Sequence, residues 1–99
     1  MSTLHILNHS PFSDNSLSSC LRIVGNNDAI LLCGDALYAL QPQGGPFKAI
    51  EEKRDTLRLF ILEEDLVARN FECPEWATCV DYCAFVELSI RYDKVNSWL

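Results

Sequence analysis

The chain has 99 residues and a net charge of −6, with 8 Lys and Arg against 14 Asp and Glu, and 48% of it is hydrophobic. That length supports one small domain, residues 1–99, with a limited core, and the composition excludes a disordered chain. Nucleic-acid binders neutralise phosphates with Lys and Arg, so an acidic chain without a basic cluster is not expected to hold RNA or DNA directly.

Residues 3–9, TLHILNH, read as a buried strand. SPFSDN is a turn in which Asp14 or Asn15 can cap a helix. That helix carries Leu17, Cys20, Leu21 and Val24, an i, i+3, i+4, i+7 stripe, and Gly25 stands at its C′ position. DAILLC (28–33) is continuously apolar, as a parallel strand covered on both faces should be. GDALYAL (34–40) reads as a short helix, QPQGGPF (41–47) as a loop, and KAIEEKRD as charged and either helical or irregular.

TLRLFIL (56–62) is the clearest strand. EEDLVARN (63–70) is a short helix with acids in its first turn, Arg69 in its last, and Asn70 suited to a left-handed C′ residue. ECPEW is a turn and ATCVDY (77–82) a fourth strand. CAFVELSIRYD (83–93) reads as a helix with Phe85, Val86, Leu88 and Ile90 mostly on one side. KVNSWL is a tail whose Trp98 and Leu99 are expected to dock.

Strands alternating with helices predict an α/β fold with a small parallel sheet of four to five strands and right-handed crossovers. Ligand chemistry in such sheets lies beyond the carboxyl ends of the strands. Those ends gather His9, Cys33 to Asp35, Glu63 to Asp65, and Asp81 to Cys83. MSTLHILNHSPF lacks a basic n-region and a long apolar stretch, so no signal peptide is expected. No apolar run approaches the roughly 20 residues a bilayer requires. A cytoplasmic chain with reduced thiols is the expectation.

The spacing of Cys73, Cys79 and Cys83 lacks the tight pairs of a structural zinc site. GGPFK lacks the spacing of a phosphate loop. His5 lies within a strand and His9 is expected on the surface, and the two do not make a catalytic site. No cofactor or metal is expected. Cys20 is the thiol of most interest. Its stripe favours a core position, whereas a reactive cysteine needs partial exposure and a positive neighbourhood. Cys33 is better placed by the strand-end rule, but Asp35 beside it would raise its pKa.

Five patches in order, LHILNHSPF followed by LSSCL, LLCGDALYAL, EEDLVARN, VDYCAFVEL and the ending VNSWL, resemble the DsrH/TusB family of small sulfur-relay subunits over nearly the whole chain. The resemblance implies a three-layer fold of the DsrE (flavodoxin-like) type. It also implies assembly with DsrE/TusD-like and DsrF/TusC-like subunits into a dimer of heterotrimers that carries sulfur as cysteine persulfide. In the TusBCD branch the sulfur passes through downstream carriers to 2-thiouridine at the tRNA wobble position, the reading preferred here. In the Dsr branch it serves sulfur oxidation. The main persulfide-bearing cysteine of such assemblies belongs to the DsrE/TusD-like subunit.

Cys20 falls where DsrH-like members carry a cysteine and some TusB-like members an apolar residue. Two roles stay open for it: accepting sulfur by thiolate attack, or filling the core. Ala36 and Asn70 stand where the family often has glycine. Tyr38, Phe71, Trp76 and Trp98 are candidate interface anchors, because aromatic residues favour interface cores. No turnover is expected from the chain by itself.

Overall fold

The computed structural model describes residues 2–98; Leu99, expected to dock with the tail, lies outside them. Five strands form one parallel sheet: β1 (Thr3–Leu7), β2 (Ala29–Leu32), β3 (Arg58–Leu62), β4 (Thr78–Val80) and β5 (Lys94–Trp98), in the order β4-β3-β2-β1-β5. The α-helices are α1 (Ser16–Ile23), α2 (Gly45–Glu52), α3 (Glu63–Ala68) and α4 (Tyr82–Arg91), and a 3-10 helix spans Gly34–Leu40. The first four strands step steadily across the sheet, and α4 then carries the chain back to place β5 beside β1. Right-handed crossovers therefore put α1, the 3-10 helix, α2 and α3 on one face and α4 on the other.

The packing follows this division. Register partners in a sheet share a face, so Leu7, Leu32 and Ile61 stand in one row. That row packs with Leu17, Cys20 and Leu21 of α1, Leu37 and Leu40 of the 3-10 helix, Ile50 of α2 and Leu66 of α3. On the opposite face Leu4, Ala29 and Leu31 meet Val80 and a single buried side chain of α4, Leu88. All four residues of β2 are buried, as its unbroken apolar run requires.

Several local expectations change. The tail is not irregular: residues 94–98 add a fifth strand at the edge, pairing Leu7 with Trp98. The loop after the 3-10 helix ends earlier than expected, because Gly45 and Pro46 open α2; proline lacks only a donor that the first helical turn would leave unused. GDALYAL winds as a 3-10 helix rather than an α-helix. Gly25 does not adopt the left-handed conformation; its N–H instead donates to Asp28 Oδ2 at 2.9 Å.

The cap of α1 comes from Asp14, whose Oδ1 accepts the Ser16 N–H at 3.0 Å, and not from the Asn15 side chain. Arg69 stands at the C-cap of α3 rather than in its last turn. Asn70 takes the expected left-handed C′ conformation, φ 56°. The Phe71 N–H bonds to the Leu66 carbonyl and the Asn70 N–H to that of Val67, the Schellman pattern. Asparagine tolerates this backbone better than most residues.

The largest departure concerns α4. Phe85 is half-buried and Leu88 buried, but Val86 and Ile90 face outward. Tyr82, Val86 and Ile90, spaced one turn apart, are 62%, 44% and 80% exposed.

Candidate functional site

The carboxyl ends of β2 and β3 meet in a small polar cluster. Gly34 follows β2 with φ 54°, a backbone available to glycine at little cost. A Cβ there would lie 3.3 Å from the Asn8 carbonyl. The turn aims the Gly34 N–H at Asp65 Oδ2, 2.8 Å away on α3. Arg69 then bridges the two acids, with Nη1 3.3 Å from Asp65 Oδ1 and Nη2 3.1 Å from Asp35 Oδ1. Glu64 reaches β4's side of the same edge, where its Oε2 accepts the Tyr82 N–H at 3.3 Å. The edge expected from the strand-end rule is thus assembled for Cys33 to Asp35, Glu64, Asp65 and Tyr82. His9 is exposed nearby in sequence, with no hydrogen bond among the described residues.

This cluster offers little for nucleophilic chemistry. Cys33, the thiol at its centre, is half-buried and directs Sγ toward the Leu7 carbonyl at 3.5 Å. Burial pushes its thiol upward, and the Asp65 carboxylate adds to this against the opposing pull of Arg69. Arg69 has its charge spent on two carboxylates. The arrangement fixes the turn after β2 rather than preparing a thiolate.

Cys20 is wholly enclosed between α1 and the sheet, at 0% exposure. Burial, with the Asp28 carboxylate second, pushes its thiol up to about 12. In this packing it is a neutral, water-excluded side chain that fills volume. Cys73 is half-buried against the same core, and burial raises its thiol too. Cys79 is exposed, yet desolvation, Cys73 and the acids Glu63 and Glu64 all raise it. Cys83, at the start of α4, is exposed. Each of the four cysteines with a shifted thiol is shifted away from the thiolate that attack on a persulfide requires.

The aromatic candidates divide. Tyr38 is exposed and lies edge-on to Phe71 at 5.8 Å. Phe71 and Trp76 are half-buried against the core, Trp76 tilted over Phe47 at 6.0 Å. Trp98 is half-buried and donates from Nε1 to His5 Nδ1 at 3.1 Å.

That last contact belongs to a network the sequence reading missed. His5 is buried in β1, with Nε2 3.7 Å from Asp28 Oδ2. Asp28 also accepts the N–H groups of Thr3 and Gly25, both at 2.9 Å. Burial pushes the Asp28 carboxyl up, but the Gly25 and Thr3 N–H groups and His5 outweigh it, and the net shift is downward. A histidine inside an apolar run and an aspartate just before a buried strand were the available signals. Their partners lie 23 and 93 residues from His5, beyond any local pattern.

Comparison with known proteins agrees with this architecture. The family model described as DsrH like protein matches residues 9–95. Protein TusB from Yersinia pestis (strain Pestoides F) and from Yersinia pseudotuberculosis serotype O:1b (strain IP 31758) are each 31% identical over 97 residues, covering 96% of this chain and 99% of theirs. Among solved structures, the ychN protein from E. coli superposes with a TM-score of 0.78 at 17% identity, covering 99% of this chain and all of its own. The MTH1491 protein from Methanobacterium thermoautotrophicum superposes with a TM-score of 0.65 at 12% identity over 96% of both chains. At those identities the two structures establish the fold alone. With a family match across most of its length and relatives above 30% identity, the chain belongs to the DsrH-like family, together with proteins named TusB.

Proposed function

We propose that this chain is an accessory, assembly-building subunit of a cytoplasmic sulfur-relay complex. Its partners are DsrE/TusD-like and DsrF/TusC-like subunits, and the persulfide is carried by a partner's cysteine. From there sulfur goes to a downstream carrier and on to 2-thiouridine in tRNA, without direct contact between this chain and the RNA.

The observation that carries this reading is the exposed apolar row Tyr82, Val86 and Ile90 on α4. A soluble chain of this size has every physical reason to cover such a row. The thiols support the same division of labour: the Cys20 sulfur is enclosed and held neutral, which favours the core role over sulfur acceptance. The net charge of −6 suits a subunit that leaves RNA to others. The names of the curated relatives side with the tRNA branch over sulfur oxidation.

The test has two parts. Affinity purification of the full chain from cells that make it is expected to recover two small homologous proteins in fixed ratio. In cells lacking the native gene, a Cys20→Val variant is expected to restore tRNA thiolation as the unaltered chain does. A thiolation defect in a variant that still assembles would overturn the core role. Unchanged tRNA on deletion of the gene would overturn the tRNA assignment.

A further inference from the structure

At the opposite end of the sheet from Cys33, the amino ends of the strands border an open cleft of about 370 Å³. It lies where the end of α4 crosses β3, on the face that α4 alone covers. Arg58, the first residue of β3, and Arg91, the last of α4, both line it. Both are exposed, and neither has an ion-pair partner among the described residues. By contrast, Arg69 is bound to two carboxylates and Arg22 bonds to Ser19.

One acid, Asp93, also borders the cleft, but its Oδ2 accepts from the Ser2 N–H at 3.0 Å and lies 3.5 Å from the Ser2 hydroxyl. Those bonds tie the Asp93 carboxylate to Ser2, and the cleft holds two guanidinium groups against that one acid. The half-buried rings of Phe60 and Tyr92 supply apolar wall, and Asn27 supplies an amide.

We propose that this cleft binds a small phosphate-type oxyanion, gripped by the guanidinium groups of Arg58 and Arg91. Two forked donors outnumber the single carboxylate in the lining, and guanidinium forks are donors that tetrahedral oxyanions accept in bidentate fashion. A dianion would neutralise the pair, and the volume falls in the range of small-ligand sites. The two sources of that chemistry are the free anion and a phosphomonoester whose planar group rests on Phe60 and Tyr92. Binding here needs neither the thiols nor the partner subunits, so it stands or falls separately from the sulfur-relay reading.

The test is an NMR titration of the full-length, isotope-labelled chain with inorganic phosphate and, separately, with adenosine monophosphate. Saturable shifts centred on Asn27, Arg58, Arg91 and Tyr92 are expected for at least one probe. R58Q and R91Q should each weaken that binding by about tenfold or more, while R54Q, in an exposed turn away from the cleft, leaves it unchanged. Spectral dispersion identical to the parent confirms that the variants fold, which their exposure leads us to expect. Binding of the nucleotide at least about tenfold tighter than phosphate assigns the phosphomonoester, and equal affinity assigns the free anion. Failure of both probes to saturate by about 20 mM, or unchanged affinity in both R58Q and R91Q, overturns the site.

Discussion

The two faces of the sheet are built from similar residues and end in different states. One is sealed by α1, the 3-10 helix, α2 and α3, and encloses Cys20 with Leu37 and Ile50, all at 0% exposure. The other carries only α4, which buries Leu88 and leaves Val86 and Ile90 in solvent. A cysteine on the sealed side becomes a neutral filler, whereas Cys83 on α4 stays open to reagents. The same residue type thus serves packing or exposure according to how many helices its face receives. Topology decides that number, because three crossovers step one way and only the fourth returns.

Substitutions should separate the faces sharply. Leu37→Ala on the sealed side should cost about 2–5 kcal/mol in urea unfolding, a large part of what a domain this small has to lose. Ile90→Ala should move stability of the isolated chain by about 0.5 kcal/mol or less, while weakening recovery of partner subunits. Comparable losses from both would show that α4's outer row is packed after all.

Asp28→Asn should cost about 1–3 kcal/mol, because one amide oxygen cannot replace a carboxylate that ties Thr3 to Gly25. The pH dependence has a definite sign. A carboxyl lowered by folding contributes stability that is present above its unfolded value, near 3.8, and lost as pH falls through the lower folded value. The variant should therefore show a shallower acid limb in thermal unfolding. An unaltered limb would remove Asp28 from the network.

Cys20 predicts the opposite limb. A thiol raised from 9.0 to about 12 contributes stability fully present below pH 9.0 and lost as pH rises toward 12. Cys20→Ala should flatten that alkaline loss, read from urea midpoints between those limits. Trp98→Phe leaves the His5 Nδ1 acceptor unpaired and should cost about 1 kcal/mol. Amide exchange would show it as faster opening of β5 before the rest of the sheet.

Much of the sealed face was legible beforehand. Leu17, Cys20 and Leu21 kept helical spacing, and AILL admitted no solvent-facing residue, so local pattern and final burial agree. The open face was harder to read for physical reasons. Most of β5 is exposed, and an edge strand stabilised mainly by backbone pairing leaves little trace in side-chain periodicity. Pro46 and its glycines resembled a loop although proline also begins helices. Apolar residues on α4 announced a buried side, and periodicity cannot say whether the cover is the same chain or another one. The Arg58–Arg91 cleft joins residues 33 positions apart, and nothing local links them.

The most direct test of the central claim is mass spectrometry of the purified assembly after exposure to a persulfide donor, with each subunit's cysteines mapped. The account predicts added sulfur on a partner's cysteine and none on Cys20, in a complex containing this chain and two homologues. Added sulfur on Cys20 in the folded assembly, or a chain that never leaves the monomeric state, would contradict it.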